Sequence, residues 1–126
     1  MKIRKATQKD FPDIRKLIKG YPDKLIQNHL PKPGEFFVAI ENGKIVGCCA
    51  LEIYSKRLAE IRSLAVTKKF QNQGIATQLV HACVATAKKK NIYELLAIAG
   101  SEAFLARFGF HTFNKEKFAL INILGN

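Results

Sequence analysis

The apolar residues of this chain change their spacing midway, and that change limits the folds open to it. Over residues 35–66 they come in short strand-like runs; from Gly74 to about Lys90, Ile75, Leu79, Ala82, Cys83 and Ala87 recur at helical spacing. Residues 35–41 carry Phe36, Phe37, Val38 and Ile40, and Asn42-Gly43 follows, the dipeptide that most strongly marks a tight hairpin. Residues 44–54 read as the returning strand and residues 58–66 as a third antiparallel neighbour, so the first half is a meander. A strand, a turn and a long helix then form a crossover at the centre, which makes the sheet mixed.

The flanks follow the same logic. Residues 3–6 are a short strand. Asp10 is favoured among the caps offered by residues 7–10, because Pro12 then falls in the first turn of a helix and loses no hydrogen bond. Ile14, Leu17 and Ile18 mark that helix's buried face and Gly20 ends it. Residues 22–30 read as a second short helix closed by Pro31 and Pro33. Residues 93–99, apolar apart from Glu94, predict a buried central strand; residues 102–108 read as a helix with Gly109 at its C-cap; residues 110–124 supply two last strands around Asn114-Lys115. The predicted order is β-α-α-β-β-β-α-β-α-β-β, an α/β fold in one domain over residues 1–126, as the 126-residue length suggests.

Composition removes several classes. No apolar run approaches the ~20 residues of a membrane span, and residues 1–7 turn polar before a leader core forms. Cys48 and Cys49 are adjacent, Cys83 is the odd third, and their neighbours are apolar, so they read as small buried hydrophobes in a reducing cytoplasm. No histidine among His29, His81 and His111 pairs with a cysteine at ligand spacing, so no metal is expected. The net charge of +11 suits an anionic ligand, a nucleic acid or a membrane surface. There is no basic-aromatic RNA motif or zinc-finger spacing, and the cations are spread rather than striped, so nucleic acid is not an expected partner, nor, without a spanning apolar run, is a membrane.

Chemistry concentrates between the third meander strand and the long helix, at Gln71-Asn72-Gln73-Gly74-Ile75-Ala76. A helix N-terminus offers free N–H groups and partial positive charge, and glycine lets a pyrophosphate approach the backbone. Lys68 and Lys69 add charge at the same mouth. The segment is neither a Walker loop nor a dinucleotide fingerprint. The residues alone leave an anion site and an ordinary helix start equally open.

With three further stretches, this segment resembles the GNAT N-acetyltransferases. The family's phosphate signature, Gln/Arg-x-x-Gly-x-Gly/Ala, fits Gln71 to Ala76. Ala59-Glu60-Ile61-Arg62-Ser63-Leu64-Ala65-Val66 is similar to its fourth strand, and Phe104-Leu105-Ala106-Arg107-Phe108-Gly109-Phe110 to its late helix end. The opening Ile3-Arg4-Lys5-Ala6-Thr7 with Asp10 is similar to its first strand and cap. The resemblance implies a single-domain, mostly antiparallel sheet flanked by helices, with acetyl-CoA as acetyl donor and no metal. The backbone of Leu64, Ala65 and Val66 would pair with the pantetheine arm. The amides of Gln71, Asn72, Gln73, Gly74, Ile75 and Ala76, with the Thr77 hydroxyl, would hold the pyrophosphate. The net positive charge then answers an anionic cofactor or is simply a solvated surface; Lys88-Lys89-Lys90 needs only the helix dipole.

Acetyl transfer needs a neutral amine, hence a base. Glu60 stands where many members of this family place it, inside an otherwise apolar strand that favours proton uptake; the alternative is a structural pair with Arg62. The family's late Tyr, the usual acid, is replaced by Leu105, leaving Ser101, Tyr54 or a water. Residues 46–51 with 59–66 look most like the acetyltransferase domain of N-acetylglutamate synthases and related amino-acid acetyltransferases, and Arg4 or Arg62 would offer a guanidinium fork to an α-carboxylate. The expected acceptor is therefore a small primary amine, an amino acid or similar metabolite. The alternatives are a protein or peptide acceptor and a non-catalytic acetyl-CoA-binding regulator. The family often forms homodimers, and Phe113, Phe118 and Ile121 offer either an intersubunit face or further core.

Overall fold

The structure, a computed structural model, describes residues 1–114 and 116–125. Strand β1 (Lys2–Lys5) leads into helix α1 (Phe11–Lys19); then come β2 (Phe36–Glu41), β3 (Lys44–Ile53), β4 (Leu58–Val66), α2 (Ile75–Lys89), β5 (Glu94–Ala97) and the short α3 (Ala103–Ala106). The sheet runs in sequence order, β1-β2-β3-β4-β5. Its first three pairings are antiparallel, and β4 with β5, joined through α2, is parallel. The meander and crossover read from the apolar spacing are therefore present.

Strand alternation divides the core between the two faces of the sheet. On β3, Cys48 and Ala50 pack with Ile14 and Ile18 of α1. Cys49 and Leu51 pack with Leu79, Val80 and Cys83 of α2. Gly47 brings α2 close to the sheet, because a Cβ there would stand 3.0 Å from Leu79 Cδ1 and 3.2 Å from Ile75 Cγ2.

Asp10 is the N-cap of α1, as its place before Pro12 suggests. Its carboxylate accepts from the Thr7 N–H at 2.8 Å and binds the Arg4 guanidinium through two bonds, 2.7 and 3.0 Å. The Arg4 partnership holds the Asp10 carboxyl well below the usual carboxylate range, against the opposing effect of burial. A depressed folded-state value means that this pair stabilises the protein fully above the unfolded value of about 3.9. The contribution disappears as pH falls through the folded value. The urea midpoint of wild type should exceed that of Asp10→Asn at pH 6, and the gap should close on acidification below about pH 4; a gap independent of pH would remove the ion pair from stability.

Three expectations are corrected. Residues 22–30 form turns, not a helix. The Gln27 side chain donates to the carbonyls of Ile18 at 3.0 Å and Leu25 at 3.1 Å, taking acceptors that a continuing helix would use. The two last strands over residues 110–124 are absent among the described residues, and Lys115 lies outside them. Phe118, Leu120, Ile121, Ile123 and Leu124 are all at least 74% exposed, so this segment gains no burial to offset ordering. In consequence β5 is the edge of the sheet rather than its centre, four half-buried or exposed residues instead of seven.

Candidate active site

The site begins where β4 outruns β5. Their pairing starts at Leu58↔Glu94 and ends at Ile61↔Ala97, so Arg62 to Val66 have no strand partner on that side among the described residues. On the other side β4 carries one residue more than β3, between the pairs Ala50↔Arg62 and Cys48↔Ala65. Ser63 sits in this bulge at φ 57°, a left-handed conformation that costs a non-glycine residue about 1–2 kcal/mol. The Cys48 thiol donates to its carbonyl at 3.3 Å. A bulge bends its strand and interrupts pairing, which here leaves backbone groups facing an open cleft. Beyond it the Thr67 N–H donates to Val46 at 2.8 Å, so Val66, one residue earlier, turns its own N–H and C=O away from β3.

The loop after β4 folds back on that edge. Gln71 donates its side-chain amide to the Val66 carbonyl at 2.9 Å. Asn72 (φ 63°) and Gly74 (φ 84°) are both left-handed, a region that glycine enters freely and asparagine tolerates. Gly74 is the N-cap of α2, and no side chain caps the helix. The Gln78 N–H donates to the Gly74 carbonyl at 3.1 Å, so the preceding amides of Ile75, Ala76 and Thr77 have no intrahelical partner. Arg107, from the turn after α3, stacks on Phe104 at 5.5 Å and donates to Thr77 Oγ1 at 3.4 Å. Uncapped amides at the positive end of a helix, beside a guanidinium, form an anion-binding mouth to a cleft of about 540 Å³. All ten residues expected to hold the cofactor stand on this edge or loop, and nine of them line the cleft. Gln73, the exception, donates to the Lys69 carbonyl at 3.4 Å.

A smaller cleft of about 240 Å³ adjoins it, with Leu64 and Phe104 common to both walls. Its polar lining is Lys24, Glu60, Arg62, Ser63 and Ser101. Glu60 is half-buried and belongs to a polar cluster rather than to apolar strand alone. Tyr54 places its hydroxyl against Glu60 and, at 3.0 Å, against Glu52. Removal from water and the two carboxylates raise the Tyr54 pKa, which keeps the phenol protonated. Burial lowers the Arg62 pKa, but Glu52 outweighs it and the net shift is upward.

Of the two arginines expected at an acceptor carboxylate, Arg62 lines the cleft but already donates to Glu52 at 2.6 Å and to the His29 carbonyl at 3.2 Å. Arg4 lines neither cleft and is committed to Asp10. Lys24 lines the cleft and enters no ion pair among the described residues. Ser101 and Leu105 face this cleft, whereas Tyr54 stands on the Glu60 side. All three cysteines are buried and free. Burial pushes the Cys48 thiol up to about 12, and a hydrogen bond with Cys83 together with burial raises Cys49, so neither is a ready nucleophile. Lys24, Tyr21 and Arg107 carried no sequence expectation. Only Arg107 left a signal, three residues after Phe104 within the quoted helix motif.

This arrangement is that of an acyl-CoA-dependent transferase: an open strand edge, an anion mouth and a carboxylate in an adjoining cleft. Residues 2–110 match the model of the acetyltransferase (GNAT) family, and the chain belongs to that family. It is an N-acetyltransferase that uses acetyl-CoA as donor. An uncharacterized N-acetyltransferase of Chlorobaculum tepidum is 33% identical over 122 residues, 92% of this chain and 79% of the relative. The amino-acid acetyltransferase of Mycobacterium tuberculosis is 31% identical over 116 residues, 86% of this chain and 67% of the relative. A solved Mycobacterium tuberculosis structure in complex with CoA and NLQ superposes with a TM-score of 0.81 at 29% identity, over 86% of this chain and 70% of that one.

Proposed function

We propose that the chain acetylates the α-amino group of a free amino acid or a similar small metabolite, with Glu60 as general base. The observation that carries this reading is one small cleft, opening onto the β4 edge, that holds a carboxylate, Glu60, and an ammonium, Lys24, that enters no ion pair among the described residues. An acceptor with an amine and a carboxylate complements that pair. The amino-acid acetyltransferase among the relatives supports the same class.

Glu60 takes a proton from the incoming ammonium, giving the nitrogen the lone pair it needs to attack the thioester carbonyl. A phenol has one proton to give, so Tyr54 serves Glu60 and Glu52 in turn and links the base to solvent through its half-exposed ring. Ser63 and Leu64 line the cleft at the bulge, and their backbone N–H groups serve as donors for the developing oxyanion. Leu105 supplies no proton to the departing thiolate; Ser101, on the same wall, or water does so. Ile75, Ala76 and Thr77 hold the pyrophosphate through their amides, and Arg107 adds a cation.

Lys24 supplies a charge-assisted hydrogen bond to the acceptor carboxylate, worth about 1.5–3 kcal/mol. Lys24→Gln should therefore raise the acceptor KM roughly 10- to 100-fold, with the acetyl-CoA KM unchanged. An unchanged acceptor KM would remove Lys24 from recognition. The reading as a whole is tested by acceptor-dependent CoA release, followed with a thiol reagent, across the twenty amino acids and a set of N-terminal and lysine peptides. Turnover on an amino acid is expected. Turnover on peptides alone would replace the acceptor class, and tight acetyl-CoA binding without any turnover would favour a regulatory module.

A further inference from the structure

Tyr21 follows the last turn of α1 and is held at both ends. Its backbone carbonyl accepts the N–H groups of Lys24 at 3.2 Å and Leu25 at 3.0 Å, closing the turn that carries these two residues into the wall of the smaller cleft. Its hydroxyl donates to the Val66 carbonyl and accepts from Gln71 Nε2 at 3.0 Å. Gln71 donates to the same carbonyl, and both Val66 and Gln71 line the larger cleft. One residue thus joins the walls of the two clefts, through its backbone carbonyl on one side and its hydroxyl on the other. The connection matters because residues 20–35 contain no regular element beyond the short turn Pro33–Glu35, and Lys24 and Ile26 are exposed. Few other bonds fix this segment: Gln27 ties it to Ile18 and Leu25, and Arg62 holds the His29 carbonyl.

We propose that Tyr21 is a positioning residue that couples occupancy of the cofactor cleft to order in the acceptor wall. A ligand seated along β4 and the loop immobilises Val66 and Gln71. Those two fix the Tyr21 hydroxyl, and the Tyr21 carbonyl fixes the turn that presents Lys24. Such coupling is reciprocal: whatever the cofactor contributes to ordering the acceptor wall, a bound acceptor returns as tighter cofactor binding. The inference rests on the assignment of the larger cleft to CoA and the smaller to the acceptor.

The test is amide hydrogen exchange of the full chain, with and without CoA, in wild type and in Tyr21→Phe, which keeps the ring and removes the hydroxyl. CoA should slow exchange over residues 71–77 in both proteins. Over residues 20–27 it should slow exchange about fivefold in wild type, the equivalent of one net hydrogen bond of about 1 kcal/mol, and leave Tyr21→Phe unchanged. Gln71→Met, which cuts the link from the loop side, should reduce the same response. A general loss of stability would accelerate exchange throughout, with or without CoA, and is thereby separated from lost coupling. Equal CoA-induced protection of residues 20–27 in wild type and Tyr21→Phe, or none in wild type, overturns the proposal. If CoA slows exchange nowhere in wild type, the assignment of the larger cleft fails, and this inference fails with it.

Discussion

Replacing Glu60 by glutamine should lower acetylation about 10²- to 10⁴-fold, the usual contribution of a positioned general base. Glutamine keeps the shape of the side chain and still accepts a hydrogen bond from Tyr54, so the contact between β4 and the turn after β3 survives. It does not take a proton from an ammonium, and the ammonium has no lone pair with which to attack. The larger cleft contains no part of Glu60, so acetyl-CoA should bind with unchanged affinity by calorimetry. Loss of kcat with acetyl-CoA affinity retained identifies chemistry rather than folding as the defect. Near-full activity in Glu60→Gln would take this residue out of the mechanism and leave proton removal to water or Glu52.

The second large effect is expected at Gly47, which makes no contact with either cleft. Its missing Cβ is the space in which Leu79 and Ile75 lie against β3. Valine there adds a branched side chain where even a single carbon stands 3.0 Å from Leu79, and overpacking of this kind costs about 1–3 kcal/mol. Ile75 is the first residue of α2, so the helix yields at the end whose amides face the anion mouth. Gly47→Val should therefore melt several degrees lower and bind acetyl-CoA more weakly than wild type. A lower melting temperature with unchanged acetyl-CoA affinity would show that the helix end is held independently of its packing.

What the sequence revealed was local. Asn42-Gly43 announced the hairpin, the apolar spacing from Ile75 to Ala87 announced α2, and Gly74 announced the loop that precedes it, because each is encoded within a few residues. Arg4 stands apart from both clefts, which the sequence does not show, for the complementary reason. Its partner Asp10 was visible as a helix cap, but the short return of chain that joins the two is a property of the fold. Tyr21 and Val66, 45 residues apart, meet only once α1 has packed across the sheet. Lys24 is one cation among 21 in the sequence, and only the fold places it in a cleft whose other cation, Arg62, is paired with Glu52. The strands expected over residues 110–124 failed on a different point. Alternating apolar residues establish that a segment is able to pair, not that burial will reward it for doing so.

The exposed flank of β4 has a consequence for the life of the protein. A row of unsatisfied backbone groups beside a strand is a template on which other chains can add, and proteins commonly protect such edges. With the acetyl donor along β4, as proposed above, the protecting strand is supplied from outside and withdraws on product release. A ligand that binds only the folded chain adds about 2.7 kcal/mol when present at a hundred times its dissociation constant. On that reading, folding yield and resistance to aggregation should follow the supply of the acetyl donor.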